Sequence, residues 1–186
     1  MNSKNQCLLI LGESKIGKST ILKKIINNLR SREYSVGGFI TKPKKLHKNE
    51  FGFEITDLTT LNQVYYASNN FNIGPKIDQV RVSINELSEF CKNKLYPAIS
   101  VSDVFILDKI SKMELCSSSI KEYIYNLISI PKPVIGVIDF FIHDKVLDQF
   151  RKSVSNVIEV TIENRDTLPD EITEIIINPI LNIKYI

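Results

Sequence analysis

Cys7-Leu8-Leu9-Ile10-Leu11-Gly12-Glu13-Ser14-Lys15-Ile16-Gly17-Lys18-Ser19-Thr20 is the stretch on which the fold of this chain turns. Cys7–Leu11 is a short apolar run that breaks at a glycine, the pattern of a buried strand. Gly12 to Ser19 then fits G-x-x-x-x-G-K-[ST] without a mismatch. The two glycines let the backbone wrap closely, so that successive amide N–H groups point inward at phosphate oxygens. Lys18 can reach the β- and γ-phosphates, and the Ser19 hydroxyl can ligate Mg²⁺. Ser19–Ser31 follows with Ile21, Leu22, Ile25, Ile26 and Leu29 at helical spacing, and its N-terminal dipole favours an anion. A plain turn is the bland reading; the strand before the motif and the helix after it favour a phosphate loop. Gly12, Glu13, Ser14, Lys15, Ile16, Gly17, Lys18, Ser19 and Thr20 are therefore the candidate phosphate-binding set.

Moving outward, short apolar runs alternate with helical patterns. Asp103–Asp108 reads as a buried strand, Ser117–Ile130 as a helix, Val134–Ile138 as a strand, Asp144–Lys152 as a helix and Asn156–Thr161 as a strand. A last helix is expected within Asn164–Ile177, entered near Pro169. Ile84–Tyr96 reads as a helix stopped by Pro97. This alternation predicts an α/β fold of three layers, with a mostly parallel central sheet covered by helices on both faces. Between about residues 35 and 82 the pattern changes. Val36–Thr41, Phe51–Asp57, Gln63–Ala67 and Gln79–Val82 are strand-like with no long helix between them, which predicts an antiparallel hairpin insertion. Lys42 to Lys48 is expected to be a loop, and its charge is read as solvated rather than as a nucleic-acid site. One domain is expected over residues 1–178, followed by an apolar tail at 179–186.

A phosphate loop needs a metal-side carboxylate at the end of a neighbouring buried strand, and Val104-Phe105-Ile106-Leu107-Asp108 supplies Asp108. Composition limits the rest. The 186 residues are 43% hydrophobic and 24% charged, with 24 Lys plus Arg against 21 Asp plus Glu. That balance argues against a protein that coats nucleic acid, and no apolar run is long enough to span a membrane. Three scattered cysteines (Cys7, Cys91 and Cys116) and two histidines suit a reduced, cytoplasmic protein without a zinc site. The pairs Tyr65-Tyr66 and Phe140-Phe141 read as packing, with stacking on a nucleobase as the alternative.

With these segments in hand, the chain resembles the small P-loop nucleoside-triphosphatases of the RecA-like class, the thermophile-type family that includes the cancer-related nucleoside-triphosphatase. The matching segments, in order, are the phosphate loop, Gly37-Gly38-Phe39-Ile40-Thr41, Gly52-Phe53-Glu54-Ile55, Gly74-Pro75, Asp103 to Leu115, Lys132-Pro133-Val134, Glu163-Asn164-Arg165-Asp166 and Leu168-Pro169. The resemblance implies a cytosolic, Mg²⁺-dependent enzyme that hydrolyses ATP, GTP and other nucleoside triphosphates to diphosphate and phosphate; a monomer is expected. It also exposes two departures. Lys109 stands where the family usually has the glutamate that activates water, and Asp139-Phe140-Phe141 replaces a loop that usually carries arginine. Both point to slow turnover, or to a protein that binds nucleotide without hydrolysing it; a kinase is a third reading. The resemblance leaves two compensating residues. Glu114 either orients a water or is bonded locally. Arg165 either approaches the phosphates or is structural. The expected catalytic set is thus Lys18, Asp108, Glu114 and Arg165, with Ser19 and Asp108 on the metal.

Overall fold

The computed structural model describes residues 6–47, 49–138 and 142–178. Strand β1 (Cys7–Leu11) is buried on both faces because its alternate residues feed two cores: Cys7 and Leu9 face one, Leu8 and Ile10 the other. Helix α1 (Lys18–Ser31) buries Ile21, Leu22, Ile25, Ile26 and Leu29 in the second core, and α6 (Leu168–Ile177) packs beside it. The opposite face of the sheet is covered by α2 (Ile84–Phe90), α4 (Ser118–Ser129) and α5 (Lys145–Ser153). These two helical layers with the sheet between them make the expected three-layer α/β architecture.

The sheet itself is only half parallel. Its order is β5-β6-β4-β3-β2-β7-β8-β1-β9. β2 (Val36–His47), β7 (Val104–Ile110), β8 (Val134–Ile138), β1 and β9 (Val154–Glu159) pair in parallel. β3 (Glu50–Asp57), β4 (Gln63–Ser68), β5 (Lys76–Ile77) and β6 (Val80–Val82) continue it antiparallel from the other side of β2. The expectation of a mostly parallel sheet is corrected accordingly, because the hairpin insertion joins the same sheet and contributes as many strand pairings as the parallel part.

Two boundaries also differ from the expectation. Lys42 to His47 is strand, not loop: β2 runs on through it, and Lys42, Lys44 and Lys45 lie opposite Glu54, Gly52 and Phe51 of β3. The Lys44 ammonium bonds the Glu54 carboxylate at 2.7 Å, so a run of lysines is held in register by one acidic partner across the strands. Pro97 does not stop its helix. The turn Cys91–Leu95 is π-helical, with the Tyr96 N–H reaching back to the Cys91 carbonyl, and α3 (Tyr96–Val101) then carries Pro97 in its first turn. Widening the turn makes room for a pyrrolidine ring that an α-helical turn would press against a carbonyl.

One glycine positions the seam between the two parts. Gly38 has φ +98°, and a Cβ there would lie 2.1 Å from the Ile106 carbonyl oxygen. Only a residue without a side chain lets β2 approach β7 this closely. That approach sets Ile40 opposite Asp108.

Candidate active site

The phosphate loop folds as its glycines require. Gly12 and Gly17 have φ of +145° and +116°, and Lys15 has φ +67°. These left-handed residues turn consecutive amides toward one side, the geometry of an anion-binding nest. Gly17 is the N-cap of α1 and offers no side chain to its first turn, which leaves that end of the helix dipole to a ligand. The Lys18 ammonium lies across the loop and donates to the carbonyls of Gly12 and Glu13, each at 2.6 Å. Burial lowers its pKa below the usual lysine value. Asp108 pulls it back up, and Lys109 lowers it further.

A cleft of about 940 Å³ opens over this loop. Its lining includes eight of the nine residues of the phosphate-binding set, together with Asp108, Lys109 and Glu159. Ile16 is the exception: it packs against the core beneath α1. The cleft therefore brings the loop and the strand end of β7 together at the carboxyl edge of the parallel strands.

Asp108 is 4% exposed, and its Oδ2 has no hydrogen-bond partner. Burial pushes its carboxyl above the ordinary carboxylate range. The Ser19 hydroxyl and the ammonium groups of Lys109, Lys18 and Lys23 pull the other way. A buried carboxylate oxygen without a donor is costly unless a cation or its bound water satisfies it. A hydroxyl and a carboxylate at the base of a phosphate loop are the hard oxygen donors that suit Mg²⁺, so these residues fit the metal. They fit no all-protein cage: among the described residues no cluster of three His, Cys, Asp or Glu is placed to hold a metal.

Glu114 stands elsewhere. It is fully buried and does not line the cleft. Tyr66 donates to its Oε1, while the N–H and hydroxyl of Ser111 donate to its Oε2 at 2.7 and 2.6 Å. With both oxygens bonded inside the protein, the local reading of Glu114 is the one its geometry carries. Arg165 is exposed in the turn before α6 and is not part of the cleft lining; its backbone N–H bonds the Thr161 carbonyl at 3.2 Å. Tyr65 packs edge-on against Phe71, and Tyr66 is buried, so neither aromatic side chain is free to stack a base. Asp139, Phe140 and Phe141 lie outside the described residues, as does the tail from 179.

Glu159 is a cleft residue that the sequence reading passed over. It is the last residue of β9 and pairs with Leu11, one residue before the loop. The available signal was its place at the end of a strand beside β1, which only the strand order reveals. Four arginines are engaged away from the cleft. Arg30 bonds the Leu58 carbonyl, Arg32 bonds Glu174, Arg81 bonds the Gly74 carbonyl and Arg151 bonds Asp148.

Comparison with known proteins gives one consistent result. Residues 7–173 match the model of a family described as NTPase. The chain is similar to the nucleoside-triphosphatase THEP1 of Sulfurisphaera tokodaii, 33% identical over 92% of this chain and 95% of that one. In three dimensions it is similar to the crystal structure of THEP1 from the hyperthermophile Aquifex aeolicus, with a TM-score of 0.76 and 25% identity over 92% of this chain and 99% of that one. The solution structure of a human cancer-related nucleoside triphosphatase shares the fold, with a TM-score of 0.71 and 24% identity over 94% of this chain and 98% of that one.

Proposed function

We propose, on the premise that the chain belongs to the nucleoside-triphosphatase family, that it binds nucleoside triphosphate with Mg²⁺ and hydrolyses it slowly to diphosphate and phosphate. The observation that carries this reading is the buried Asp108 carboxylate, one oxygen of which has no partner, lining the same cleft as Ser19 and Lys18 of the phosphate loop. The loop amides and Lys18 bind the β- and γ-phosphates, Lys18 exchanging its two carbonyl partners for phosphate oxygens. Ser19 and Asp108 would hold Mg²⁺ between them. When bound, that ion supplies positive charge to the β- and γ-phosphate oxygens as the γ-phosphoryl group leaves.

Lys109 limits the rate. It lines the cleft where a carboxylate would orient and deprotonate the attacking water, and an ammonium group cannot accept that proton. The same residue favours a second reading, a nucleotide-binding protein with negligible turnover, since a cation beside the γ-phosphate strengthens binding of substrate and product without activating water. A kinase is less well supported, because Arg30, Arg32, Arg81 and Arg151 are committed elsewhere and do not supply the mobile cations of a lid. No helix of the described residues is long and apolar enough to cross a membrane. The cysteine usage supports a cytoplasmic setting, and we take the working unit to be a monomer.

Titration with ATP and GTP, with and without Mg²⁺, followed by phosphate release without any acceptor, tests this reading. Asp108→Asn should keep metal-free affinity and lose the Mg²⁺ enhancement, because an amide cannot replace the carboxylate charge. A mutant with wild-type Mg²⁺ dependence would make Asp108 a structural strand end. Binding without phosphate release would select the second reading.

A further inference from the structure

The cleft is lined by two chemically different groups of side chains. Lys18, Ser19, Asp108 and Lys109 are charged or polar. Val137, Ile138, Leu11 and Glu159, at the carboxyl ends of β8, β1 and β9, are three apolar side chains and one carboxylate. The backbone around Glu159 is held on both sides. The Val160 N–H donates to the Leu11 carbonyl at 2.9 Å, and the Asn164 side-chain amide donates to the Glu159 carbonyl at 2.8 Å. Val160 also seats the start of the loop, since a Cβ on Gly12 would lie 3.0 Å from the Val160 carbonyl oxygen. The Glu159 side chain, by contrast, is exposed, and its carboxylate has no hydrogen-bond or ion-pair partner among the described residues.

The place of Glu159 excludes two roles. In the order β7-β8-β1-β9 it lies three strand spacings from Asp108, about 14 Å. That is too far to share a metal with Asp108 or to stand in for the water-activating carboxylate at Lys109. A carboxylate also repels phosphate, so it does not belong beside the triphosphate. What remains is an uncharged part of the ligand that carries donors. A triphosphate whose γ end lies toward Asp108 leads away from β7 across the loop and brings its nucleoside end toward β9. The ribose is the first group past the α-phosphate. Glu159 stands one strand spacing from Leu11, the residue before the loop. Its two oxygens both accept, and the two ribose hydroxyls are adjacent donors. An acidic side chain near the phosphate-binding turn holds a ribose in the same way in dinucleotide-binding α/β folds. Leu11, Val137 and Ile138 add apolar surface beside it and no competing polar side chain.

We propose that Glu159 is a specificity-determining residue that accepts hydrogen bonds from the ribose hydroxyls of the nucleotide. The substrate class is then ribonucleoside triphosphates, in preference to their deoxy counterparts. The proposal rests on the function proposed above, because that reading sets which way the triphosphate runs through the cleft.

The test measures by calorimetry, with Mg²⁺, the affinities of ATP, GTP, 2′-deoxyATP, 2′,3′-dideoxyATP and inorganic tripolyphosphate. It compares the full wild-type chain with Glu159→Gln and Glu159→Ala, both of which keep the fold because the side chain is exposed. Wild type should prefer ATP over dideoxyATP by about tenfold, the low end for hydrogen bonds to a charged group, with 2′-deoxyATP between them. Glu159→Ala should weaken ATP and GTP alike by about tenfold and bring ATP within about twofold of dideoxyATP. Glu159→Gln, which keeps one acceptor, should fall between. Tripolyphosphate affinity should not fall in either variant, since neither touches the phosphate loop. Equal wild-type affinity for ATP and dideoxyATP overturns the ribose contact, and a preference that survives Glu159→Ala overturns its assignment to Glu159. Unequal losses for ATP and GTP with an unchanged ATP-to-dideoxyATP ratio would mean that Glu159 reads the base, and a parallel loss of tripolyphosphate would place it on a cation; either overturns the proposal. A wild type that binds neither ATP nor tripolyphosphate overturns the phosphate-binding reading itself, and the ribose contact with it. Tripolyphosphate bound as tightly as ATP leaves that reading standing and overturns the ribose contact alone.

Discussion

In β1, β7 and β8 nearly every residue is buried, and each strand serves the cores on both faces of the sheet. In β3 and β4 buried residues are interspersed with half-exposed and exposed ones, and the strands are joined by turns of a few residues. The first region presents to the cleft Gly12, just past β1, and Asp108, near the end of β7. The second ends in turns away from the cleft, as where Asp57 accepts from the Thr59 and Thr60 amides. The contrast shows how chemistry and support are divided. Parallel strands collect functional residues at their common carboxyl edge. The antiparallel part continues the same sheet from the other side of β2, away from that edge's loops.

Four changes would break or sharpen this division. Lys109→Glu, at the edge of the parallel part, should have the largest effect. Phosphate release should rise by about tenfold to a thousandfold, short of the full worth of a general base because nothing around the new carboxylate holds it in place. Turnover already typical of a working hydrolase in the wild type, with a neutral or harmful Lys109→Glu, would refute the account of the slow rate. Next is Lys18→Ala, which removes charge-assisted bonds to phosphate; by isothermal calorimetry ATP affinity should drop roughly 100-fold with the fold intact. An unchanged dissociation constant would remove the phosphate-loop assignment.

The third change lies in the antiparallel part. Ile55→Ala deletes a fully buried side chain of β3 and should cost about 3 kcal/mol, lowering Tm by roughly 10 °C. Nucleotide affinity and its Mg²⁺ enhancement should persist below the transition. Loss of both would mean that the antiparallel part shapes the cleft through its packing. The smallest effect is expected at Asp144, far from the division. Burial pushes its carboxyl up, but the Lys121 ammonium at 2.6 Å and the Val146 N–H outweigh burial and hold it below its ordinary value. A depressed carboxyl stabilises the fold above the unfolded-state value, and that contribution is lost as pH falls through the folded-state value. Asp144→Asn should therefore lower Tm by about 2–3 °C at neutral pH and merge with wild type in strong acid.

Much of this was legible because the relevant signals are local. The phosphate loop is one contiguous motif, and Asp108 follows directly from four apolar residues. β1 and β8 are apolar throughout and β7 is apolar up to Asp108, so these strands stand out from the helices between them. What was hidden depends on pairing between distant residues. Lys42 to His47 reads as a solvated charge run until β3 is laid beside it. Pro97 reads as a stop until the turn before it is seen to widen. Glu114 was visible as a carboxylate six residues past Asp108, but its bonding depends on Tyr66, which lies on β4, distant in sequence. Glu159 entered the cleft only through strand order.

The strand that carries the phosphate loop lies at the start of the chain and has both its neighbours near the end: Cys7 stands opposite Val134 on one side and Val154 on the other. During synthesis β1 therefore emerges before either of its partners, while the antiparallel hairpins, whose partners are adjacent in sequence, can already close. Pairings between such distant segments carry the largest loop-closure cost and form slowly. The phosphate loop is thus seated in its sheet only once β8 and β9 have been made, although its motif precedes them.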